Sequence, residues 1–232
     1  MTDFLLVHGA WHGGWCWRLV ANGLRAAGHR VLTPTLTGQG ERLHLLDASV
    51  GLDTHVQDVL AVLENEELSD VVLVGHSYGA RPTVLATAHP AVRHWVSLDG
   101  VAVIPGLALL HGLPEPALAA ARAQLVDGVG SPPLAAAAIG VPADHPHHDW
   151  VERRMTAMAW KAFEDPLPPW PARFASLPRT YVEALGNEME GVRAGLAQAR
   201  AEGWPLVSID SGHDLMVTAP DAVVAVLLEI AG

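Results

Sequence analysis

A serine stands at the centre of Gly75-His76-Ser77-Tyr78-Gly79. The pentapeptide follows the apolar run Val71-Val72-Leu73-Val74 and opens a helical pattern over 78–89. A G-x-S-x-G motif between a strand and a helix makes a sharp turn with serine at its apex. Side chains at 75 and 79 would meet neighbouring backbone in such a turn, and the serine hydroxyl is lifted above the sheet. The first amides of the following helix point at the same spot and favour developing negative charge. The bare motif is common by chance; the flanking strand and helix make it specific. The chemistry it serves is nucleophilic attack by Ser77.

Such a hydroxyl needs a base and a place for an alkoxide. Ser211-Gly212-His213-Asp214 follows a late apolar run, and a histidine there can reach the serine from across a sheet. Thirteen histidines are present, and most have no special role. Position singles out His213 as the general base, because serine followed by a late histidine is the chain order of one group of hydrolases. The loop Val7-His8-Gly9-Ala10-Trp11-His12-Gly13-Gly14 admits two readings. Its glycines do not form G-x-G-x-x-G, and Thr33-Pro34-Thr35 offers no acid for a ribose, so a dinucleotide loop is rejected. The other reading is an oxyanion loop, with the backbone amides of Ala10 and Tyr78 holding the alkoxide.

The elements around these residues alternate. Apolar runs at 4–8, 31–34, 71–74, 94–98, 180–184 and 205–209 read as strands covered on both faces. Val56, Val59, Leu60 and Leu63 mark one face of a helix, with Asp53 or Thr54 as its cap. Residues 14–27, 78–89 and 219–231 also read as helices, the last with Pro220 in its first turn. The alternation predicts an α/β chain with a doubly wound, mostly parallel, six-stranded sheet. From 101 to 176 no strand is evident, and 11 of the 17 prolines fall there. Alanine-rich stretches at 117–123 and 134–138 predict short helices, and the segment reads as a helical lid inserted in a single domain.

The chain has 232 residues, half of them hydrophobic and 17% charged, which excludes wholesale disorder. A net charge of −11 repels phosphate backbones and anionic membranes, so the expected partner is a small-molecule substrate, not nucleic acid or membrane. Cys16 is the single cysteine, so neither an internal disulfide nor a four-cysteine metal site is available. The run Asp144-His145-Pro146-His147-His148-Asp149 reads as a solvated lid loop, and no metal is assigned. The N-terminal segment lacks the basic start and longer apolar stretch of a secretory leader, so a cytoplasmic location is expected.

His8-Gly9-Ala10-Trp11, Gly75-His76-Ser77-Tyr78-Gly79 and Gly212-His213-Asp214 resemble the α/β-hydrolase superfamily. Thr37-Gly38-Gln39-Gly40-Glu41-Arg42, Gly51-Leu52-Asp53-Thr54-His55 and Ser97-Leu98-Asp99-Gly100 resemble its small bacterial esterase branch, related to plant methyl-ester esterases and hydroxynitrile lyases. The resemblance implies the family's fold without its first two strands, a serine–histidine–acid mechanism, and no cofactor.

Two residues depart from the family pattern. Its acid usually follows the next-to-last strand, where this chain carries Asn187. Asp99, at the end of the preceding strand, is the favoured substitute, and Glu188 is the alternative. Arg81 stands one helical turn past Ser77, where an apolar residue is usual. It either pairs with a protein carboxylate or faces the pocket to bind an acidic ligand. Trp11, Trp150 and Trp160 are the other substrate-binding candidates. Asp214 replaces the lysine of related hydroxynitrile lyases, and Gly9 their threonine, which argues against cyanohydrin cleavage. The expected activity is hydrolysis of a small ester, lactone or related acyl compound. A lyase or cyclase on the same scaffold, or a non-catalytic binding protein, are the rivals.

Overall fold

The computed structural model describes residues 1–232. The first half runs β1 (Asp3–Val7), α1 (Arg18–Ala26), β2 (Arg30–Leu32), α2 (Leu52–Asn65), β3 (Val71–His76), α3 (Ala80–Ala86) and β4 (Val92–Leu98). An excursion follows, holding α4 (Glu115–Arg122), β5 (Gly130–Ser131), α5 (His148–Glu152), β6 (Met158–Ala159) and α6 (Lys161–Glu164). The chain then returns through β7 (Arg179–Ala184), α7 (Glu190–Ala201), β8 (Leu206–Ile209), α8 (Leu215–Thr218) and α9 (Pro220–Ala231).

Six strands form one sheet in the order β2-β1-β3-β4-β7-β8, every neighbouring pair parallel. Alternate residues of each central strand enter different cores, which is why these strands are apolar without a polar face. Leu5, Val7, Val71 and Leu73 join a core with Val59, Leu63, Val84 and Ala199 from α2, α3 and α7. Phe4, Leu6, Val72 and Val74 join another with Val20, Leu24, Met216 and Leu227 from α1, α8 and α9. Each such fully buried side chain contributes about 1.5–3 kcal/mol. The strand order reverses between β1 and β3, so a crevice opens at their carboxyl ends. Ala10 and Ser77 lie in the loops at that edge.

Several expected boundaries shift. Residues 14–17 form a 3-10 turn ahead of α1, and 77–79 form another ahead of α3. The stretch at 134–138 becomes a 3-10 turn at Ala136–Ile139. Gly51, not Asp53 or Thr54, is the N-cap of α2. Thr54 Oγ1 accepts from the Gly51 amide, and Asp165 Oδ2 accepts from Leu52 N at 2.9 Å. A carboxylate from far along the chain therefore satisfies this helix end, which no local pattern announces.

The excursion is not strand-free. β5 and β6 pair antiparallel, Gly130 opposite Ala159 and Ser131 opposite Met158, too short to leave a periodic signal. Nor is it a detached flap. Ala136, Ile139, Val141 and Val151 enter the α1/α9 core, while Met158, Ala162, Leu167 and Phe174 enter the other. No helix is long and apolar enough to cross a membrane.

Candidate active site

Ser77 sits at φ +52°, a conformation a non-glycine residue adopts only where surroundings impose it. The imposition comes from two glycines. A Cβ at Gly75 would lie 2.3 Å from Thr83 Oγ1 and 2.5 Å from the Gly79 carbonyl oxygen. A Cβ at Gly79 would lie 2.6 Å from the His8 carbonyl oxygen. These contacts let the turn close and press α3 against the end of β1. Gly75→Ala is expected to destabilise the protein by about 1–3 kcal/mol, read as a lower urea midpoint with unchanged slope.

His213 lies across the crevice, 3% exposed, with its ring 4.6 Å from that of His76. Its Nδ1–H donates to Asp99 Oδ2 at 2.7 Å. Asp99 follows β4 at φ +43°, a region aspartate tolerates better than most residues. Its other oxygen, Oδ1, accepts from the Ala184 amide at 3.0 Å. Asn187 Nδ2 donates to the same Oδ2 at 2.6 Å, and Asn187 Oδ1 accepts from Met189 N, which fixes the amide's orientation. The 3.1 Å between Asn187 Nδ2 and His213 Nδ1 is thus a contact of two donors sharing one acceptor. Asn187 thus holds the Asp99 carboxylate beside His213. Glu188 is 88% exposed along its side chain and pairs with Arg193 at 3.8 Å, far from any role at the imidazole.

The bonds of the His213 ring leave Nε2 open. Neither Nε2 nor Ser77 Oγ is a sealed polar atom lacking a partner, so both are reachable from the crevice. No hydrogen bond joins them in this resting structure. The Ala10 amide is engaged by none of the turn and loop bonds. Tyr78 points its hydroxyl away, donating to His55 Nδ1 at 2.7 Å, while His55 Nε2–H donates to the Thr37 carbonyl. That bond anchors Tyr78, the residue directly after Ser77. His8 accepts from Leu36 N and donates to the Gly9 carbonyl; burial lowers its pKa to about 3, so it is a neutral strut.

Two expected substrate contacts, Arg81 and Trp150, are placed elsewhere. Arg81 is 1% exposed, and main-chain carbonyls take the place of the expected carboxylate. Its Nη2 donates to the carbonyls of Leu107 and Asp165, at 3.1 and 2.9 Å, tying α3 to both arms of the excursion. The guanidinium fork suits paired oxygen acceptors, and main-chain oxygens supply them here. Trp150 lies under Arg18, 4.6 Å from ring centroid to guanidinium carbon, and edge-on to Trp15, in a surface groove beside α1. Trp160 packs on Phe163, centroids 6.2 Å apart, and also borders a cleft with Asp47, Gly128 and Lys161. Trp11 does stay beside the elbow. It packs on Phe163 at 6.1 Å, and Phe163 packs on Tyr78 at 6.2 Å. Phe163 gave no sequence signal beyond being aromatic. Arg81→Met is expected to cost roughly 1–3 kcal/mol and to speed hydrogen exchange at residues 104–110 and 161–167.

The 144–149 run is turn and the start of α5; His148 bonds the Val141 carbonyl, and no three His, Cys, Asp or Glu side chains are placed to hold a metal ion.

Residues 4–226 match the model of the alpha/beta hydrolase family. A carbendazim hydrolyzing esterase of Nocardioides sp. (strain SG-4G) is 41% identical over 235 residues, covering 95% of this chain and 96% of that protein. Among solved structures, the pyrethroid hydrolase PytH superposes with a TM-score of 0.78 at 24% identity, over 99% of this chain and 97% of that one. The methylesterase MES16 from Arabidopsis superposes at 0.76 and 22% identity, over 99% and 98%.

Proposed function

The chain belongs to the alpha/beta hydrolase family and is an enzyme, and from that premise we propose that it is a serine esterase for a small ester, lactone or related acyl compound. The observation that carries this reading is the buried 2.7 Å bond from His213 to Asp99, set opposite a serine held at positive φ. In this reading Ser77 Oγ attacks the substrate carbonyl carbon, and its proton passes to His213 Nε2. Asp99 keeps Nδ1 protonated, so Nε2 is the nitrogen free to accept, and its charge offsets the imidazolium that forms. The amides of Ala10 and Tyr78 receive the oxyanion. His213 returns the proton to the leaving group, and water attacks the acyl-serine by the same route in reverse. The open Ser77–His213 pair closes when substrate binds, as catalytic hydrogen bonds often do. The mechanism uses no cofactor.

The features that favoured a lyase or cyclase have other employment. Asn187 serves Asp99, and Arg81 ties the excursion, which acts in this reading as a fixed roof over the crevice. Trp11, Phe163 and the Tyr78 ring line its apolar side. Because the Nocardioides relative is a carbendazim hydrolyzing esterase, carbendazim heads the compounds to test. Purified protein incubated with carbendazim, methyl esters, pyrethroids and lactones, with products identified by mass spectrometry, tests the reading. Hydrolysis of at least one of them, with the acid and alcohol or amine halves both recovered, is expected. Conversion without net addition of water supports a lyase or cyclase in its place.

A further inference from the structure

A second histidine–aspartate pair lies beneath the first. His12 Nε2 is 2.9 Å from Asp214 Oδ2, and His12 Nδ1 is 2.7 Å from the Ala10 carbonyl oxygen. Both residues are buried, at 2% and 0% exposure. The Ala10 carbonyl can only accept, so Nδ1 donates to it, and with Asp214 held ionised beside the ring Nε2 donates as well, which makes the ring an imidazolium. Its two bonds end on different parts of the machinery. Ala10 carries the oxyanion amide, and Asp214 is the neighbour of His213. His76, next to Ser77, completes the lacing by donating from Nε2 to the His213 carbonyl at 3.0 Å.

We propose that His12 is a positioning residue for the esterase reaction, its ring clamping the oxyanion loop to the histidine loop through Asp214 and so aiming the Ala10 amide. The inference rests on the esterase reading for its kinetic consequence, and on geometry for the clamp. A carbonyl held by a charged donor cannot swing, and the amide on the other side of the same residue is held with it. Charge-assisted bonds are roughly twice as strong as neutral ones, which suits a loop that must keep its shape when an oxyanion develops. Misplacing a catalytic group by about 1 Å can cost 10²-fold.

The groups facing the pair set its protonation. His8 and His76 lie nearby and are held neutral by burial; Asp214 also feels His213, and Cys16, buried beside it, has its thiol pushed up. Burial opposes the charge on His12, but the adjoining carboxylate prevails and raises its pKa above the ordinary value, while Asp214 is held low. A raised histidine pKa means the clamp is whole below the ordinary range and is lost as pH rises through the raised value.

The test uses His12→Phe, which keeps a ring against Trp15 (centroids 5.3 Å apart in the native pair) but no donor, and His12→Gln, which keeps one donor. The expected result is a kcat loss of about tenfold or more in His12→Phe with KM changed less than about twofold, and partial recovery in His12→Gln. Asp214→Asn is expected to move the alkaline limb of the kcat profile to lower pH. Nitrogen-15 imidazole NMR of the resting protein is expected to show His12 protonated on both nitrogens at neutral pH. A neutral His12, or wild-type kcat and pH profile in both His12→Phe and Asp214→Asn, overturns the clamp. Absence of fluorophosphonate labelling at Ser77 in the unsubstituted protein would overturn the esterase reading instead, and the NMR result still decides the clamp.

Discussion

Ser77→Ala eliminates ester turnover, with a loss in kcat on the order of 10⁶, while the fold persists. The magnitude follows from the covalent route. Without the hydroxyl no acyl-enzyme forms, and His213 and Asp99 have nothing to activate. In the proposed mechanism what survives is the polarisation of the substrate by the Ala10 and Tyr78 amides, worth about 10³–10⁴ over water in comparable enzymes. Removing one hydroxyl from a residue at φ +52° leaves the strained turn intact, because Gly75 and Gly79 impose it, not the serine side chain. Thermal denaturation of the variant is therefore expected to match the parent within a few degrees. Turnover reduced less than about tenfold would mean that the chemistry bypasses the serine.

Asp99→Asn lowers kcat on the order of 10⁴, about 5 kcal/mol of transition-state stabilisation. The amide can still sit against His213, but a donor facing Nδ1 favours the wrong tautomer and carries no charge to offset the imidazolium. Asn187 sharpens the experiment. Its Nδ2 is 2.6 Å from Asp99 Oδ2, so the two side chains are interchangeable holders of one site. The double variant Asp99→Asn, Asn187→Asp moves the carboxylate to the usual family position and is expected to regain at least tenfold over Asp99→Asn alone. Asn187→Asp by itself sets two carboxylates within hydrogen-bond distance. Their mutual repulsion makes the last proton of the pair harder to lose, and a shared proton weakens the support for His213. Its kcat is expected to fall and its pH profile to change shape. Steady-state kinetics of the four proteins across pH checks all three outcomes.

The parts of the site that could be read in the sequence are those whose chemistry is local. Gly75-His76-Ser77-Tyr78-Gly79 carries its own geometry, because the two glycines, the apolar strand before them and the helix after them are contiguous. The parallel sheet was legible for the same kind of reason: strands such as Val71–Val74 are apolar on both sides, and that pattern needs cover on both faces. Asp99 and His213 are 114 positions apart, and their pairing was reached through strand ends and chain order. What stayed hidden was long-range and polar. Asp165 capping α2, Arg81 reaching two carbonyls of the excursion, and His12 meeting Asp214 across 202 positions leave no periodic trace. Trp150 misled for a related cause: it has the right chemistry for an apolar pocket, but it packs edge-on to Trp15 and under Arg18 beside α1. Composition names a ring without saying which side of a loop it takes.

In the proposed mechanism Ser77 is a nucleophile activated by His213 under the charge of Asp99. Peptide mapping after reaction with a fluorophosphonate tests it most directly, because the probe reports activation without requiring the natural substrate. A single phosphonylated residue, Ser77, is expected in the parent protein, labelled far more slowly in Asp99→Asn and not at all in Ser77→Ala. Adduct on another residue, or equal labelling rates in the parent and Asp99→Asn, would contradict it.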